Sequence, residues 1–198
     1  RGEHRIIMNY YDNNYKDFIA RTLDVDMMEL YTPFCDRLNP GSSILDIGCG
    51  PGRDLKYFKS IGYVPLGLEP SRQLADYGRR YSGCEIVETT IQDFQSDTLF
   101  DGIWACASLL HLSSGELGGA LHKITGLMHS GSVFYCSFKL GNHEGIRNGR
   151  YFNDQTLDSF VEYIPEALKV SHSWISEDLR PQTLQKWLNV HLELRQRH

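Results

Sequence analysis

The sequence predicts an α/β protein whose mostly parallel sheet carries helices on both faces. Short apolar segments, typical of strands buried on both faces, alternate with amphipathic helical patterns from residue 43 to residue 138. One of these segments, 44–47, runs directly into a glycine-rich turn, 48–52, which we call the glycine turn. Two later strand patterns, 167–176 and 184–194, have no helix between them. We therefore expect these two to pair antiparallel.

The remaining elements follow in a regular order. Two helices broken around residues 23–26 precede the first strand, and Asp26 is placed to cap the second of them. Ser113 and Glu116 have the spacing of a capping box, which predicts the start of the helix before the fifth strand. After the fifth strand we expect a polar loop and one more helix. The five parallel strands are predicted at 43–47, 63–68, 86–90, 100–106 and 132–138, the loop at 141–149 and the helix at 154–163.

Length and composition limit the possible functions. With 198 residues, 41% of them hydrophobic, the chain can bury one core, so a single domain over 1–198 is expected. Five widely spaced cysteines without a C-x-x-C pair argue against a disulfide framework and a zinc site, and favour a cytoplasmic location. A net charge of -5 makes nucleic acid an unlikely partner, and no segment is apolar enough to predict a membrane span.

The glycine turn is where we expect a ligand, because open α/β sheets bind ligands beyond the carboxyl ends of their strands. A Walker loop needs Gly-Lys-Ser/Thr at its end, whereas this chain has Gly52-Arg53-Asp54. A dinucleotide turn needs a third glycine where Arg53 stands, and Asp46 and Asp54 would repel a pyrophosphate. A cationic ligand without phosphate, such as S-adenosylmethionine, explains the acids, since Asp46 could hold its ammonium group directly or through water.

The ends of the next two strands favour a nucleoside. Glu69 follows the second strand, and a carboxylate there suits a ribose because it accepts hydrogen bonds from both hydroxyls. Asp93 follows the third strand in a polar loop and can accept a hydrogen bond from an exocyclic amine such as that of adenine. Neither position calls for phosphate recognition.

The motif Asp46-Ile47-Gly48-Cys49-Gly50-Pro51-Gly52 resembles the first motif of class I S-adenosylmethionine-dependent methyltransferases, and Glu69, Asp93 and the segment 100–105 stand where later motifs of that family stand. The resemblance is detailed over residues 40–140 and is greatest to a small TehB-like, or type 11/12, subgroup. It implies a Rossmann-like seven-stranded, mostly parallel sheet of order 3-2-1-4-5-7-6 with the last strand antiparallel. It also implies a helical lid at 1–39, a cofactor-binding core at 40–140 and an acceptor side at 141–198.

The resemblance further assigns roles to residues. Gly48 and Gly50 would let the backbone approach the methionine part of the cofactor, and Ala105 would supply a carbonyl beneath it. Glu69 would hold the ribose, while Asp93 with Phe94 or Gln92 would contact adenine. The residues implied to bind S-adenosylmethionine are Asp46, Gly48, Cys49, Gly50, Gly52, Arg53, Glu69, Pro70, Gln92, Asp93, Phe94, Ala105 and, as an aromatic lid, Tyr11 and Tyr15.

Candidate residues on the acceptor side have two readings each. His111 follows the fourth strand and could take a proton from the acceptor, since a histidine pKa lies near neutrality, or it could only cap or pack at the loop. His143, Arg147 and Arg150 follow the fifth strand, where two arginines would suit a carboxylate or phosphate on the substrate, or would belong to a solvated loop.

The expected function is methyl transfer from S-adenosylmethionine to an N, O, S or C atom of a small molecule, with S-adenosylhomocysteine as product and no metal. The Asn-Pro-Pro-Tyr tetrapeptide of many methylases that act on nucleic acid or protein is absent, since the segment 107–110 reads Ala-Ser-Leu-Leu. A tRNA-modifying methyltransferase, an NAD(P)-binding oxidoreductase and a non-catalytic S-adenosylmethionine-binding module are the alternatives. Either a monomer or a homodimer is expected.

Overall fold

One seven-stranded sheet forms the centre of the protein. The computed structural model describes residues 2–180 and 183–196, with side chains from residue 10 onward. The strands are β1 (Ser43–Ile47), β2 (Val64–Leu68), β3 (Glu85–Val87), β4 (Phe100–Ala105), β5 (Met128–Lys139), β6 (Glu144–Arg147), β7 (Arg150–Asn153), β8 (Leu168–Glu177) and β9 (Lys186–Leu194). The helices are α1 (Gly2–Thr22), α2 (Met28–Cys35), α3 (Arg53–Ser60), α4 (Arg72–Ser82), α5 (Ser114–Thr125) and α6 (Leu157–Val161), and a 3-10 turn covers Leu109–His111.

The strands lie in the order β3-β2-β1-β4-β5-β9-β8. The first five strands run parallel, and β9 is antiparallel to both of its neighbours. Strands β6 and β7 form a separate hairpin. When only the seven strands of the large sheet are numbered along the chain, β8 and β9 become strands 6 and 7, and the order is the predicted 3-2-1-4-5-7-6 with the last strand antiparallel. The predicted fold class is therefore confirmed.

The hairpin of β6 and β7 corrects the sequence analysis, which predicted a polar loop over 141–149. Arg147 pairs with Arg150, and the two residues between them, Asn148 and Gly149, have φ angles of 51° and 76°. Asn-Gly is a favoured pair in two-residue hairpin turns because both positions need positive φ. The hairpin signal was therefore present in the sequence.

The sheet is buried on both faces, which explains why its strands read as continuous apolar runs. Neighbouring residues of β4 belong to opposite faces. Ile103 packs in the cluster that contains Leu117 of α5, whereas Trp104 packs in the cluster that contains Phe34 of α2 and Phe58 of α3. All five side chains are fully buried.

The helix starts lie close to the predicted positions, but Met27 and not Asp26 is the N-cap residue of α2. Asp26 accepts a hydrogen bond from the backbone N–H of Met28 (3.0 Å), and the Ser113 N–H donates to Glu116 (3.0 Å) as half of a capping box. The third strand and α6 are both shorter than predicted. In the part of the chain that the structure describes, no helix combines the length and apolarity needed to cross a membrane.

Two glycines set how α4 packs on the glycine turn. Gly52 has a φ of 86°, and a Cβ there would lie 3.1 Å from the carbonyl oxygen of Gly78. A Cβ on Gly78 would lie 2.7 Å from Ile86 Cδ1 and 3.1 Å from the carbonyl oxygen of Gly50. Helix α4 therefore meets the turn at backbone distance and holds it beyond the end of β1.

Gly78→Ala should destabilise the protein by about 1–3 kcal/mol, because the new methyl group overpacks this contact. Gly119→Ala is the matched control: Gly119 also lies inside a helix, but open space surrounds the position of its missing Cβ. We expect that control to stabilise the protein by up to about 1 kcal/mol through helix propensity. Urea unfolding of both variants tests this, and equal effects would show that α4 does not depend on the close contact.

Candidate functional site

A cavity of about 270 Å³ lies at the carboxyl edge of the sheet. Residues 47–51 after β1 and 106–112 after β4 line its centre, where the strand order reverses. Helix α1 crosses it and contributes Tyr11 and Phe18 to the lining. The end of β5, the hairpin and the segment 176–180 line the opposite side.

Most residues predicted for the site meet at this cavity. Those in its lining are Tyr11, Gly48, Cys49, Gly50, Arg53, Glu69, Pro70, Gln92, His111 and Arg150. The other predicted residues lie outside the lining: Tyr15, Asp46, Gly52, Asp93, Phe94, Ala105, His143 and Arg147.

Several of the excluded residues have other partners. Asp93 is exposed and its carboxylate accepts a hydrogen bond from the Thr90 hydroxyl (3.2 Å), so Ile91 and Gln92 of the same loop line the cavity instead. Arg147 forms an ion pair with Asp154.

The remaining excluded residues divide by burial. His143 is exposed, and Tyr15 is half-buried beyond the reach of the cavity. Phe94 and Ala105 are buried in the hydrophobic core. The missing Cβ of Gly52 makes room for α4 and not for a ligand.

Glu69 joins the end of β2 to the glycine turn. Its Oε2 accepts a hydrogen bond from the Gly50 N–H and its Oε1 from the Ser71 N–H, both at 2.9 Å. Only 5% of the residue is exposed, and this burial raises the pKa of the carboxyl to about 7 in spite of the two hydrogen bonds. A carboxylate oxygen can accept more than one hydrogen bond, so Glu69 keeps acceptor capacity toward the cavity.

Two buried oxygens near the glycine turn have no hydrogen-bond partner among the described residues, Asp46 Oδ2 and Ser108 Oγ. Burial and the negative charge of Asp54 raise the pKa of Asp46 well above its ordinary value. Ser108 packs closely on Gly48, and a Cβ added to Gly48 would lie only 2.6 Å from the Cβ of Ser108. Because buried polar atoms are normally paired, these oxygens mark positions that a ligand or an ordered water can satisfy.

Asp54 connects the start of α3 to the elements around it. Its Oδ1 accepts from the Tyr31 hydroxyl (2.5 Å) and Arg53 Nε (2.8 Å), and its Oδ2 accepts from Trp104 Nε1 (2.8 Å). Arg53 also donates to the carbonyl of Thr22, the last residue of α1 (3.1 Å). Burial alone would raise the pKa of Asp54, but Arg53 and these hydrogen bonds lower it. Asp54 is therefore an ionised, fully partnered group and is not available to a ligand.

His111 is hydrogen-bonded through both ring nitrogens. Its Nδ1 lies 2.7 Å from the carbonyl oxygen of Tyr151, which assigns the ring proton to Nδ1. Its Nε2 therefore accepts a hydrogen bond from the Tyr11 hydroxyl (3.0 Å). Burial, together with the charges of Arg150 and Lys139, lowers the pKa of His111 to about 4. The expectation of a near-neutral pKa is wrong, and the ring is neutral at physiological pH.

Several lining residues are not predicted by the sequence. Ala107, directly after β4, has a φ of 50°, which is unfavourable for a residue with a Cβ, and its N–H donates to the Ser137 hydroxyl (2.8 Å). Such strain is typical of functional sites, but no local sequence signal predicts it. Lys139, Asp178 and Asn189 reach the cavity only because β5, β8 and β9 meet at one edge of the sheet.

Comparison with known sequences gives two matches. Residues 44–131 match a protein-family model described as a methyltransferase domain. An uncharacterized 37.1 kDa protein in transposon TN4556 of Streptomyces fradiae is 37% identical over 73 residues, which cover 34% of this chain and 21% of that protein. The chain thus matches about a fifth of the length of that relative.

Solved structures share the whole fold at low identity. The 1,6-didemethyltoxoflavin-N1-methyltransferase of Burkholderia thailandensis, solved with 1,6-didemethyltoxoflavin and S-adenosylhomocysteine, has a TM-score of 0.80 and 18% identity over 98% of this chain and 89% of that one. A TehB-like SAM-dependent methyltransferase of Corynebacterium glutamicum has a TM-score of 0.72 and 22% identity, over 95% of this chain and 98% of that one. N-methyltransferase NodS of Bradyrhizobium japonicum, solved with S-adenosylhomocysteine, has a TM-score of 0.70 and 14% identity, over 92% of this chain and 100% of that one.

Tyr31→Phe should destabilise the protein by about 1.5–3 kcal/mol, because it removes a hydrogen bond to the buried Asp54 charge. Tyr57→Phe is the matched control, since the Tyr57 ring stacks on Tyr31 with centroids 4.1 Å apart but its hydroxyl has no hydrogen bond in the described part of the chain. We expect a change within about 0.5 kcal/mol for this control. Chemical denaturation of both variants measures the difference, and equal losses would contradict the role of Asp54.

His111 should stay neutral with its proton on Nδ1 from pH 8 down to about pH 5. Nitrogen chemical shifts of the histidine rings measure this directly. His129 is the internal control, because its contacts with the Ser130 carbonyl and Asp101 raise its pKa above the ordinary 6.5. Titration of His111 near pH 6.5 would contradict the burial that we describe. Because the pKa of His111 is lower in the folded protein than in the unfolded chain, the protein should lose stability as the pH falls through 6.5 toward 4.

Proposed function

We propose that this chain is a class I S-adenosylmethionine-dependent methyltransferase and that it transfers the methyl group of that cofactor to a small-molecule acceptor, which the matched methyltransferase domain and the shared fold support. The observation that carries the proposal is Glu69, a buried carboxylate at the end of β2 that lines the same cavity as the glycine turn. A carboxylate at this position of an open α/β sheet suits the ribose of a nucleoside.

The residues at the cavity fit S-adenosylmethionine. Glu69 would accept hydrogen bonds from the ribose hydroxyls, and Ile91 and Gln92 would border the adenine. Asp46 and Ser108 each offer a buried oxygen without a partner near the glycine turn, where the methionine ammonium needs an acceptor. The positive charge of Arg53 is already balanced by Asp54, so it does not require a phosphate group on the ligand.

Three contacts hold α1 across the cavity. The Tyr11 hydroxyl donates to His111, the Ser71 hydroxyl donates to Asp12 (2.7 Å), and Arg53 donates to the Thr22 carbonyl. When bound, S-adenosylmethionine supplies an electrophilic methyl group on a positively charged sulfur. The protein's own contribution is to orient the acceptor and to exclude water, and α1 serves the second task by covering the cavity.

His111 and Tyr11 place a proton acceptor at the cavity. Since Nδ1 carries the ring proton, Nε2 is the basic nitrogen, and it faces the Tyr11 hydroxyl. With a pKa of about 4, His111 is a weak base, so it would accept a proton only from an acceptor atom that becomes acidic as it is methylated. Its constant role is to hold Tyr11, and thereby α1, over the cavity.

Two observations favour a small acceptor over nucleic acid. The cavity lies beneath α1, and the chain has a net charge of -5. One structural relative was solved with a small organic molecule, 1,6-didemethyltoxoflavin, bound together with S-adenosylhomocysteine. We extend the same kind of acceptor to this chain as part of the proposal, together with the predicted cytoplasmic location.

Glu69→Gln should weaken the binding of S-adenosylhomocysteine by about tenfold or more, because an ionised acceptor is replaced by a neutral amide. Wild-type affinity should rise between pH 6 and pH 8, since Glu69 ionises near pH 7. The same raised pKa means that the free protein loses stability as the pH rises from 4.5 through 7. Calorimetric titration over this pH range measures the affinity.

The control for this titration is Glu88→Gln, which removes an exposed carboxylate outside the lining and should leave affinity and its pH dependence unchanged. Absence of binding to the wild-type protein would overturn the proposed function. Binding without turnover of S-adenosylmethionine on a panel of small acceptors would instead support a non-catalytic binding module.

A further inference from the structure

Two half-buried cations line the cavity without an acidic partner among the described residues. Lys139 ends β5 and Arg150 begins β7. Neither is in an ion pair. The Arg150 guanidinium hydrogen-bonds the neutral Tyr11 hydroxyl and lies over the Tyr10 ring, and its Nε is buried without a hydrogen-bond partner. A buried or half-buried charge without a partner is costly, so it usually marks a functional position.

Arg21 also lines the cavity, but it is exposed and its Nε donates to the carbonyl of Asp17 (3.2 Å). The remaining cations in this part of the molecule are in ion pairs. Arg53 lies 2.8 Å from Asp54, and Arg180 lies 2.7 Å from Asp178. Arg147, next to Arg150 across the hairpin, is held by Asp154. Asp154 also acts on Lys139 electrostatically, but its carboxylate is engaged by Arg147. Among the half-buried cations of the lining, Lys139 and Arg150 are therefore the two that no acidic residue of the described chain pairs, in a protein whose net charge is -5.

Phe152 brings these two charges together. Lys139 Nζ lies 4.0 Å and Arg150 Cζ 5.0 Å from the centroid of the Phe152 ring, which is 3% exposed. The Phe152 ring also lies 5.1 Å from the ring of His111, so the pair is close to the contact between Tyr11 and His111.

Besides burial, mutual repulsion of these cations contributes to the lowered pKa of Lys139. Burial lowers the pKa of Lys139, and the charges of Arg147 and Arg150 lower it further. Arg150 and Lys139 also contribute to the low pKa of His111. An anion placed between Lys139 and Arg150 would remove this repulsion and could form charge-assisted hydrogen bonds with both.

We infer that the methyl acceptor is a small molecule with an anionic group, a carboxylate or a phosphate, that binds between Lys139 and Arg150 beside Phe152. The inference rests on the proposed function and specifies its substrate class. The carboxylate of the cofactor is the competing anion. The residues assigned to the cofactor belong to or follow β1, β2, β3 and β4, whereas Lys139 and Arg150 belong to β5 and the hairpin, beyond β4 in the sheet order.

The test is calorimetric titration of the protein saturated with S-adenosylhomocysteine, using benzoate, inorganic phosphate and neutral benzamide as probes. We expect at least one anion to bind, and benzamide to bind about tenfold more weakly than benzoate if the group is a carboxylate. Lys139→Met and Arg150→Met should each weaken anion binding about tenfold, while Lys139→Arg, which keeps the charge, should retain it.

Lys186→Met and Arg72→Met are the matched controls, because both remove an exposed cation outside the lining and should leave anion binding unchanged. If S-adenosylhomocysteine binds but neither anion does, the inference is overturned while the proposed function stands. Lys139→Met or Arg150→Met could instead lose as much affinity for S-adenosylhomocysteine as for the anion. That result would assign the pair to the cofactor and would also overturn the inference. Failure of the wild-type protein to bind S-adenosylhomocysteine overturns the proposed function instead.

Discussion

Asp54 is a buried negative charge that the fold can hold only because three donors reach it from different elements. Arg53 precedes it in α3, Tyr31 comes from α2 and Trp104 from β4. Loss of a partner from such a group leaves an uncompensated charge, which costs several kcal/mol in proteins. Since Arg53 also donates to the carbonyl of Thr22 at the end of α1, the ion pair of Arg53 and Asp54 links the start of α3 to one of the three contacts that hold α1 over the cavity.

The charges around the cavity are divided between its two sides. Glu69 lines the side of β1 and β2, and Lys139 and Arg150 line the side of β5 and the hairpin, where Asp178 is paired with Arg180. An acidic side suits a cationic methyl donor, and a basic side suits an anionic acceptor. This division would orient two oppositely charged ligands toward each other, a positioning effect that requires no special catalytic base.

The sequence predicted most of the fold because the signals were local. Continuous apolar runs identified the strands, and Asp26 and Ser113 identified helix starts by side-chain hydrogen bonds within a few residues. The hairpin differs from the predicted loop because the segment around it is polar, although Asn148 and Gly149 carry a local hairpin signal. Asp93 and His143 were placed at the site by chain position, which does not say where a side chain points.

By itself the sequence determined the glycine turn and Glu69, since positive φ angles and a carboxylate at the end of a buried strand are properties of single positions. Only the tertiary structure decided the rest of the site. It gave Asp54 its partners, lowered the pKa of His111 by burial and brought Lys139 and Arg150 to one ring. These properties depend on contacts between residues distant in the chain, and burial and electrostatic interaction energies follow from such contacts.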